Sequence, residues 1–216
     1  MKRRLTNVIL FMIVFMMLSF LIATFTMVMA ASSSTIPYGG VSHNLFELSE
    51  INNYVADNYP EMGNISSGQS IFVGARRWQN ENFAVGVEIE RISTSWRNSN
   101  RSAAEAMTTG YLATAYYRIN DFLCFKGAAG AYSSRLSLFG DIDRSYAGLD
   151  FGYKVGVYLP VSTENLDDFL PFNVDNRISG DAYIGYRSSR VGIDNDLIGA
   201  IDYSGLEMSA SLNISF

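Results

Sequence analysis

Nine ionisable side chains fall on one side of a series of alternating stretches: Glu88, Glu90, Arg118, Lys126, Asp150, Lys154, Asp181, Arg187 and Glu207. Five are acids and four are bases. Near balance suits a closed network of buried pairs, because an isolated buried charge costs far more than a paired one. Two other residues bring different chemistry. His43 is the only histidine, and general-base catalysis near neutral pH most often uses that side chain. It lies next to an expected helix and outside every clear strand, so a solvated or capping role is expected. Cys124 shares a face with Lys126, whose charge would favour a thiolate, yet no histidine accompanies it in a strand. A small buried filler is the expected role. Metal-ligand spacings, phosphate loops and nucleotide fingerprints do not appear. No catalytic residue, no metal and no cofactor is therefore expected.

The elements that would position those charges read as β-strands. From Leu206 to Phe216 every second residue is apolar, and those between are small or polar. Side chains alternate across a strand, so such a stretch has one greasy face and one wet face. The same pattern recurs from Ile71 to Trp78, where the polar turn Gln79–Asn82 follows, and again from Phe83 to about Trp96. It returns over Ala106–Ile119, where Leu112 interrupts the wet face. Asn120-Asp121 then turns the chain into Phe122–Leu138, whose phase slips after Ser134 as Leu136 and Leu138 become the apolar partners. A β-bulge is expected there. The cleanest stretch sets Leu149, Phe151, Tyr153, Val155, Val157, Leu159 and Val161 against Asp150, Gly152, Lys154, Gly156 and Tyr158. A sixth covers Ile178 to Arg187. Seven strands are counted this way, and a closed single-chain barrel needs an even number. The eighth is expected before Gly68, over Thr35 to His43, where it would pair with the last strand.

Ahead of the strands, residues 1–31 read as a signal peptide. Lys2, Arg3 and Arg4 precede the apolar run Val8–Met29 and a small-residue cleavage end at Ala30-Ala31. A retained anchor helix is the alternative for so long a run. Residues 32–67 form a linker with a short amphipathic helix, expected from Leu45 to Asp57. Asn44 and Glu47 suggest a capping box, and Leu45, Leu48, Ile51 and Val55 share a side. The helix packs on the strands, as a lid, plugs the barrel they would form, or lies on the membrane surface.

Composition separates a soluble sandwich from a membrane barrel. The charged fraction is only 17%, against roughly 25% in soluble chains, while Gly (18), Tyr (13) and Phe (14) are abundant. The stretches are longer than the roughly 5–6 residues of ordinary strands and suit a tilted membrane strand. In that setting the apolar face looks to lipid and the charged face looks inward. Trp78, Trp96, Tyr111, Tyr117, Tyr153 and Tyr186 would then supply the aromatic girdles at the two interfaces. A net charge of −5 argues against a nucleic-acid surface, and a single cysteine excludes an intrachain disulfide framework.

On these strands, residues 68–216 resemble the small outer-membrane β-barrels of diderm bacteria, the class of the OmpA transmembrane domain and OmpX. The alternating strand Leu206–Phe216, ending on an aromatic carboxyl terminus, looks like the signal read by the barrel-assembly machinery, with Phe216 its key residue. The resemblance implies an all-β, antiparallel, up-and-down transmembrane barrel of eight strands in the outer membrane. Short turns would lie in the periplasm and longer loops outside, which leaves Ser162–Asn176 as an unusually long periplasmic turn.

The interior of an eight-stranded barrel is only wide enough for its own side chains. The expected function is therefore structural or adhesive, exercised by a monomer in outer-membrane lipid, with a salt-bridged lumen and loops that could meet a surface ligand. The alternatives are a narrow channel or lipophilic-ligand transporter gated by the amino-terminal helix, and a lipid-modifying enzyme.

Overall fold

The computed structural model describes residues 35–97, 102–139, 144–161, 178–193 and 197–214. The segment 1–31, the connection 162–176 and Phe216 lie outside the described residues. Eight strands close into an antiparallel barrel in the order β1-β10-β7-β6-β5-β4-β3-β2. They are β1 (Thr35–Leu45), β2 (Ser67–Trp78), β3 (Phe83–Arg97), β4 (Ser102–Asn120), β5 (Leu123–Leu138), β6 (Arg144–Val161), β7 (Ile178–Ser188) and β10 (Gly205–Ile214). Helix α1 (Ser49–Asn58) follows β1, and a two-stranded hairpin of β8 (Arg190–Gly192) and β9 (Ala200–Asp202) follows β7. β1 supplies the eighth strand: it pairs with β10 from Tyr38↔Asn213 to Asn44↔Glu207 and closes the barrel.

The barrel has a tall wall and a low one. β3, β4, β5 and β6 run for 15, 19, 16 and 18 residues, whereas β1, β2, β7 and β10 run for 11, 12, 11 and 10. β7 leaves β6 at the pair Tyr153↔Ser188, and β2 leaves β3 at Gln69↔Ser93. Beyond those pairs the tall wall continues alone. Helix α1 and the β8–β9 hairpin fill the space above the low wall. The opposite end carries the tight turns 79–82 and 121–122.

The strands of the tall wall invert their polarity part-way up. On the half nearer the turns, the outward residues are apolar and exposed, among them Phe83, Ile89, Tyr111, Tyr117, Phe125, Phe151, Tyr153 and Val155. The low wall continues that band with Val41, Ile71, Val73, Ile184, Leu206, Met208, Leu212 and Ile214. The inward residues at these levels include Glu88, Lys126 and Lys154, all buried. Higher up the outward positions become Arg91, Ser93, Ser95, Ser133 and Arg135, all exposed, while the inward ones become Ile92, Trp96, Ala104, Ala106, Leu136 and Leu138, all buried.

This inversion corrects the expected bulge. β5 keeps one register with β4 from Leu138↔Ala104 down to Cys124↔Arg118, and one with β6 along its whole length. The phase never slips at Ser134. Leu136 and Leu138 point inward like Tyr132 and Ser134, but into an apolar space. Leu112 faces in as well, but at the level of Glu88 and apart from that apolar space, where it packs with Ala128, Tyr132 and Val191.

That apolar space is a lid core. Leu48, at the N-cap, and Ile51 and Val55 of α1 meet Ile92, Trp96, Leu136 and Leu138 of the tall wall and Ile193, Ile198, Ile201 and Tyr203 of the hairpin region. The helix sequence, with three Asn and an Asp, has weak intrinsic propensity, so packing of this stripe holds it. It ends at Tyr59, whose backbone N–H still donates to Val55 and which precedes Pro60. The helix starts at Ser49, later than the capping pattern suggests. Asn44 and Leu45 remain in β1, and Leu48 sits at the N-cap with no side-chain hydrogen bond.

Candidate functional site: the filled lumen and its lid

The lumen is built from alternate residues of every strand, so each strand contributes through its pleat rather than through a loop. At its centre six charges form one network. Lys126 Nζ donates to Glu88 Oε2 at 2.6 Å, and Lys154 Nζ donates to Glu88 Oε1 and Glu207 Oε1, each at 3.1 Å. Lys154 also pairs with Glu90. Arg187 Nη2 reaches Glu90 Oε2 and Glu207 Oε2, each at 2.9 Å, and its Nη1 donates to Asn44 Oδ1 at 2.8 Å. Three carboxylates face three cations, and no side chain in these pairs is more than 7% exposed. Removing any one member would strand a buried opposite charge.

Toward the turn end lies a second layer. Arg76 Nη1 meets Asp181 Oδ2 at 3.1 Å, and its guanidinium sits 4.9–5.6 Å from the ring centres of Tyr158, Tyr116 and Tyr38. The phenols tie the layers together: Tyr116 donates to Tyr38 at 3.0 Å, and Tyr38 donates to Glu88 at 3.1 Å. Such rings fill the lumen where neighbouring strands carry no side chain. Tyr132 lies against Gly110 and Gly152, where an added Cβ would come within 2.7 and 2.6 Å of its ring.

Seven of the nine charges picked from the sequence join these two layers: Glu88, Glu90, Lys126, Lys154, Asp181, Arg187 and Glu207. Two do not. Arg118 sits near the turns, half-buried, with its guanidinium 4.2 Å from the Trp78 ring centre. Asp150 is exposed and accepts a hydrogen bond from the Phe151 backbone N–H; it lies beyond the point where β7 departs from β6. Arg76 is the member that sequence reasoning missed. It stands beside Arg77 in a run where either could face inward; only the alternation Phe72, Arg76, Trp78 distinguishes them. With Arg76 counted, the two layers hold four acids and four bases.

The aromatic residues divide in the same way. Tyr111, Tyr117, Tyr153 and Tyr186 are exposed on the outward face. Trp96 is buried in the lid core, where its Nε1–H donates to Asn52 Oδ1 at 2.9 Å. Trp78 faces in and packs against the cluster of Tyr116, Tyr158 and Tyr183. Neither tryptophan can serve an outer girdle. An inward side chain at a strand end has the same sequence neighbours as an outward one, and here the alternation decides.

The lid is fastened by polar contacts at its edges. Glu50 Oε2 accepts from the backbone N–H groups of Gly199 at 2.7 Å and Ala200 at 3.0 Å, and Glu50 Oε1 accepts from Arg190 Nη2 at 3.0 Å. The Asn52 side-chain amide donates to the Ile65 carbonyl and accepts from the Ile65 N–H, each at 2.9 Å. Between lid and charges runs a belt of hydroxyls. Thr108 and Ser134 are 2.6 Å apart, Thr94 and Tyr203 are 2.9 Å apart, and Ser42 bonds Ser70. Burial pushes the Tyr203 phenol up to about 12, so it stays a neutral donor.

The two candidates for other chemistry stand apart from this network. His43 lies in β1, the strand expected over Thr35 to His43, and is exposed on the outward face opposite Met208. Cys124 is buried beside Ala84, Tyr116, Tyr158 and Tyr183. Among the described residues, no group of three His, Cys, Asp or Glu side chains is placed to hold a metal ion.

No protein-family model and no curated protein matches the chain. Solved structures do. Ail, the attachment invasion locus protein of Yersinia pestis, superposes with a TM-score of 0.53 at 13% identity, covering 84% of this chain and 97% of that one. Neisserial surface protein A gives a TM-score of 0.49 at 15% identity, over 86% of this chain and 98% of that one. The amino-terminal barrel domain of OprF from Pseudomonas aeruginosa gives 0.42 at 5% identity, over 85% and 98%. At such identities the likeness is one of fold, and Ail carries it. The chain has the closed eight-stranded architecture found among small bacterial outer-membrane barrels.

Proposed function

We propose that this chain is a bacterial outer-membrane barrel with a structural and surface-interaction role, and that it neither conducts nor catalyses. One observation carries the reading: a continuous band of exposed apolar residues surrounds an interior filled with paired charges. In water both faces of that arrangement are unfavourable, whereas in lipid the exposed band is solvated and the charges satisfy one another. The fold shared with Ail supports the location. Residues 1–31 then serve as the export signal and Phe216 as the assembly signal, and the barrel works as a monomer. The tight turns 79–82 and 121–122 face the periplasm, and the lid faces outward as the surface available to a partner. Tyr117, with Phe83 and Phe125, marks the periplasmic edge of the band; Tyr111, Tyr153 and Tyr186 lie toward the opposite edge.

The filled lumen supports the non-conducting part. A permeating ion would have to displace the six-charge network and then the lid core, each a closed layer. The test is planar-bilayer conductance of the refolded mature chain. No steady current is expected, and reproducible channel steps from the intact protein would overturn the reading. A chain that stays dissolved as a compact, cooperative globule without detergent would overturn the membrane location itself.

A further inference from the structure

The outward face of the tall wall changes from apolar to polar over a few rows, and the order of charges across that change is uneven. The last apolar row is Ile89, Tyr111, Ala131 and Phe151, in register across β3, β4, β5 and β6. The next row up is Arg91, Thr109, Ser133 and Leu149, and the one above it is Ser93, Met107, Arg135 and Ala147. Only in the third row does a carboxylate enter, at Glu105, with Ser95, Ser137 and Ser145. Arg91 thus stands in the first of these rows and Arg135 in the second, and the first outward acid stands in the third.

The two arginines flank one position. Met107 is paired with Arg135 across β4 and β5, and Arg91 directs its Nη2 onto the Met107 sulfur. Arg135 uses its Nε to donate to Ser145 Oγ at 3.2 Å. Both side chains are exposed, and among the described residues neither guanidinium reaches a carboxylate. The hydroxyls of Thr109 and Ser133 stand in the lower row, between the arginines.

We propose that Arg91 and Arg135, with Thr109 and Ser133, bind the phosphate of an anionic lipid headgroup in the outer leaflet. The assignment rests on the membrane reading above, which puts these rows at headgroup height. A guanidinium offers forked donors that match phosphate oxygens, and it is less strongly hydrated than an ammonium, so it suits this half-wet position. The apolar row beneath would carry the lipid's acyl chains along Tyr111 and Phe151. Arg91 and Arg135 are two strands and one outward step apart, and with strands about 5 Å apart and outward steps of about 7 Å their long side chains can converge on one headgroup between them.

The test uses the refolded chain in a neutral detergent, with lipid adducts read by native mass spectrometry. The probes are short-chain phosphatidic acid, phosphatidylcholine of the same chains, and inorganic phosphate. Phosphatidic acid should be retained over phosphatidylcholine by roughly tenfold, and Arg91→Gln/Arg135→Gln should abolish the preference. Arg91→Lys/Arg135→Lys should keep part of it, and Arg97→Gln, higher on the same wall, should keep all of it. Every variant is first checked for the heat-dependent gel shift of a folded barrel. Undiminished preference in the folded double glutamine variant overturns the site. Displacement of the lipid by equimolar inorganic phosphate overturns its assignment to a headgroup. A wild-type chain that needs detergent and shows the gel shift but has no preference sinks only this inference. A chain that needs no detergent sinks the membrane reading beneath it.

Discussion

Below the row of Glu90, Gly110 and Tyr132, the tall wall is apolar outside and charged inside; above it, the same strands are polar outside and apolar inside. The two halves share strands, register and pleat, and differ only in what surrounds them. The lower half is arranged for lipid, with its ions buried in the lumen. The upper half is arranged like a soluble barrel, with a hydrophobic core supplied by α1 and the hairpin. The lesson is that a strand's alternation gives its faces but not their direction; the direction follows the solvent on each side.

The comparison can be broken most forcefully in the lower half. Lys154→Met removes the cation shared by Glu88, Glu90 and Glu207 and leaves three buried carboxylates against two cations. The expected loss is about 3–5 kcal/mol, read as a lower urea midpoint for unfolding in detergent micelles, with loss of the whole barrel at once. An unchanged midpoint would show that the central network contributes nothing to holding the barrel.

The upper half should fail locally. Ile51→Ala opens a cavity beneath the helix and should cost the lid about 2–4 kcal/mol. Proteolysis within residues 46–65 should accelerate, while the temperature of the gel shift stays where it is. If that temperature falls in step, lid and barrel are one cooperative unit and the contrast between halves loses its meaning.

A smaller effect tests the fastening. Glu50→Gln weakens the hold on Gly199, Ala200 and Arg190, at an edge where solvent screens the charge. Amide exchange at Gly199 and Ala200 should quicken by roughly fivefold, matching a loss of about 1 kcal/mol per weakened charged hydrogen bond. The smallest effect is expected at the border. Ser134→Ala removes one partner of the Thr108 hydroxyl and should cost about 1 kcal/mol, seen as a slight drop in the urea midpoint.

Much of the barrel was legible in the sequence, because period-two alternation survives any change of surroundings. It located the strands, and it put Glu88, Lys126, Lys154 and Arg187 on one face. The same rule misled where it was combined with a fixed idea of which side is greasy. Leu136 and Leu138 look like a slipped phase because the sequence does not mark where the lid begins, and Leu112 looks like a flaw because one apolar side chain also packs inside the charged half, opposite Glu88. Asp150 was placed in the network by its parity, yet it lies past the end of the β6–β7 ladder. Trp78 and Trp96 looked like girdle residues because aromatics near strand ends occur on either face. The hairpin of β8 and β9 has strands of only 3 residues each, too short to show any period. Arg76 was lost between two adjacent arginines.

The two parts of the lid come from opposite ends of the chain. Helix α1 follows the first strand, the β8–β9 hairpin precedes the last, and β1 and β10 meet at the seam. Glu50 and Gly199, which fasten the parts, are therefore distant in sequence and become neighbours only once the cylinder has been zipped shut. The cap acts as a clasp that cannot be done up early. A nascent barrel with its seam still open would leave Ile51 and Ile198 without their shared shelter, and the moment at which they become shielded would timestamp the end of assembly.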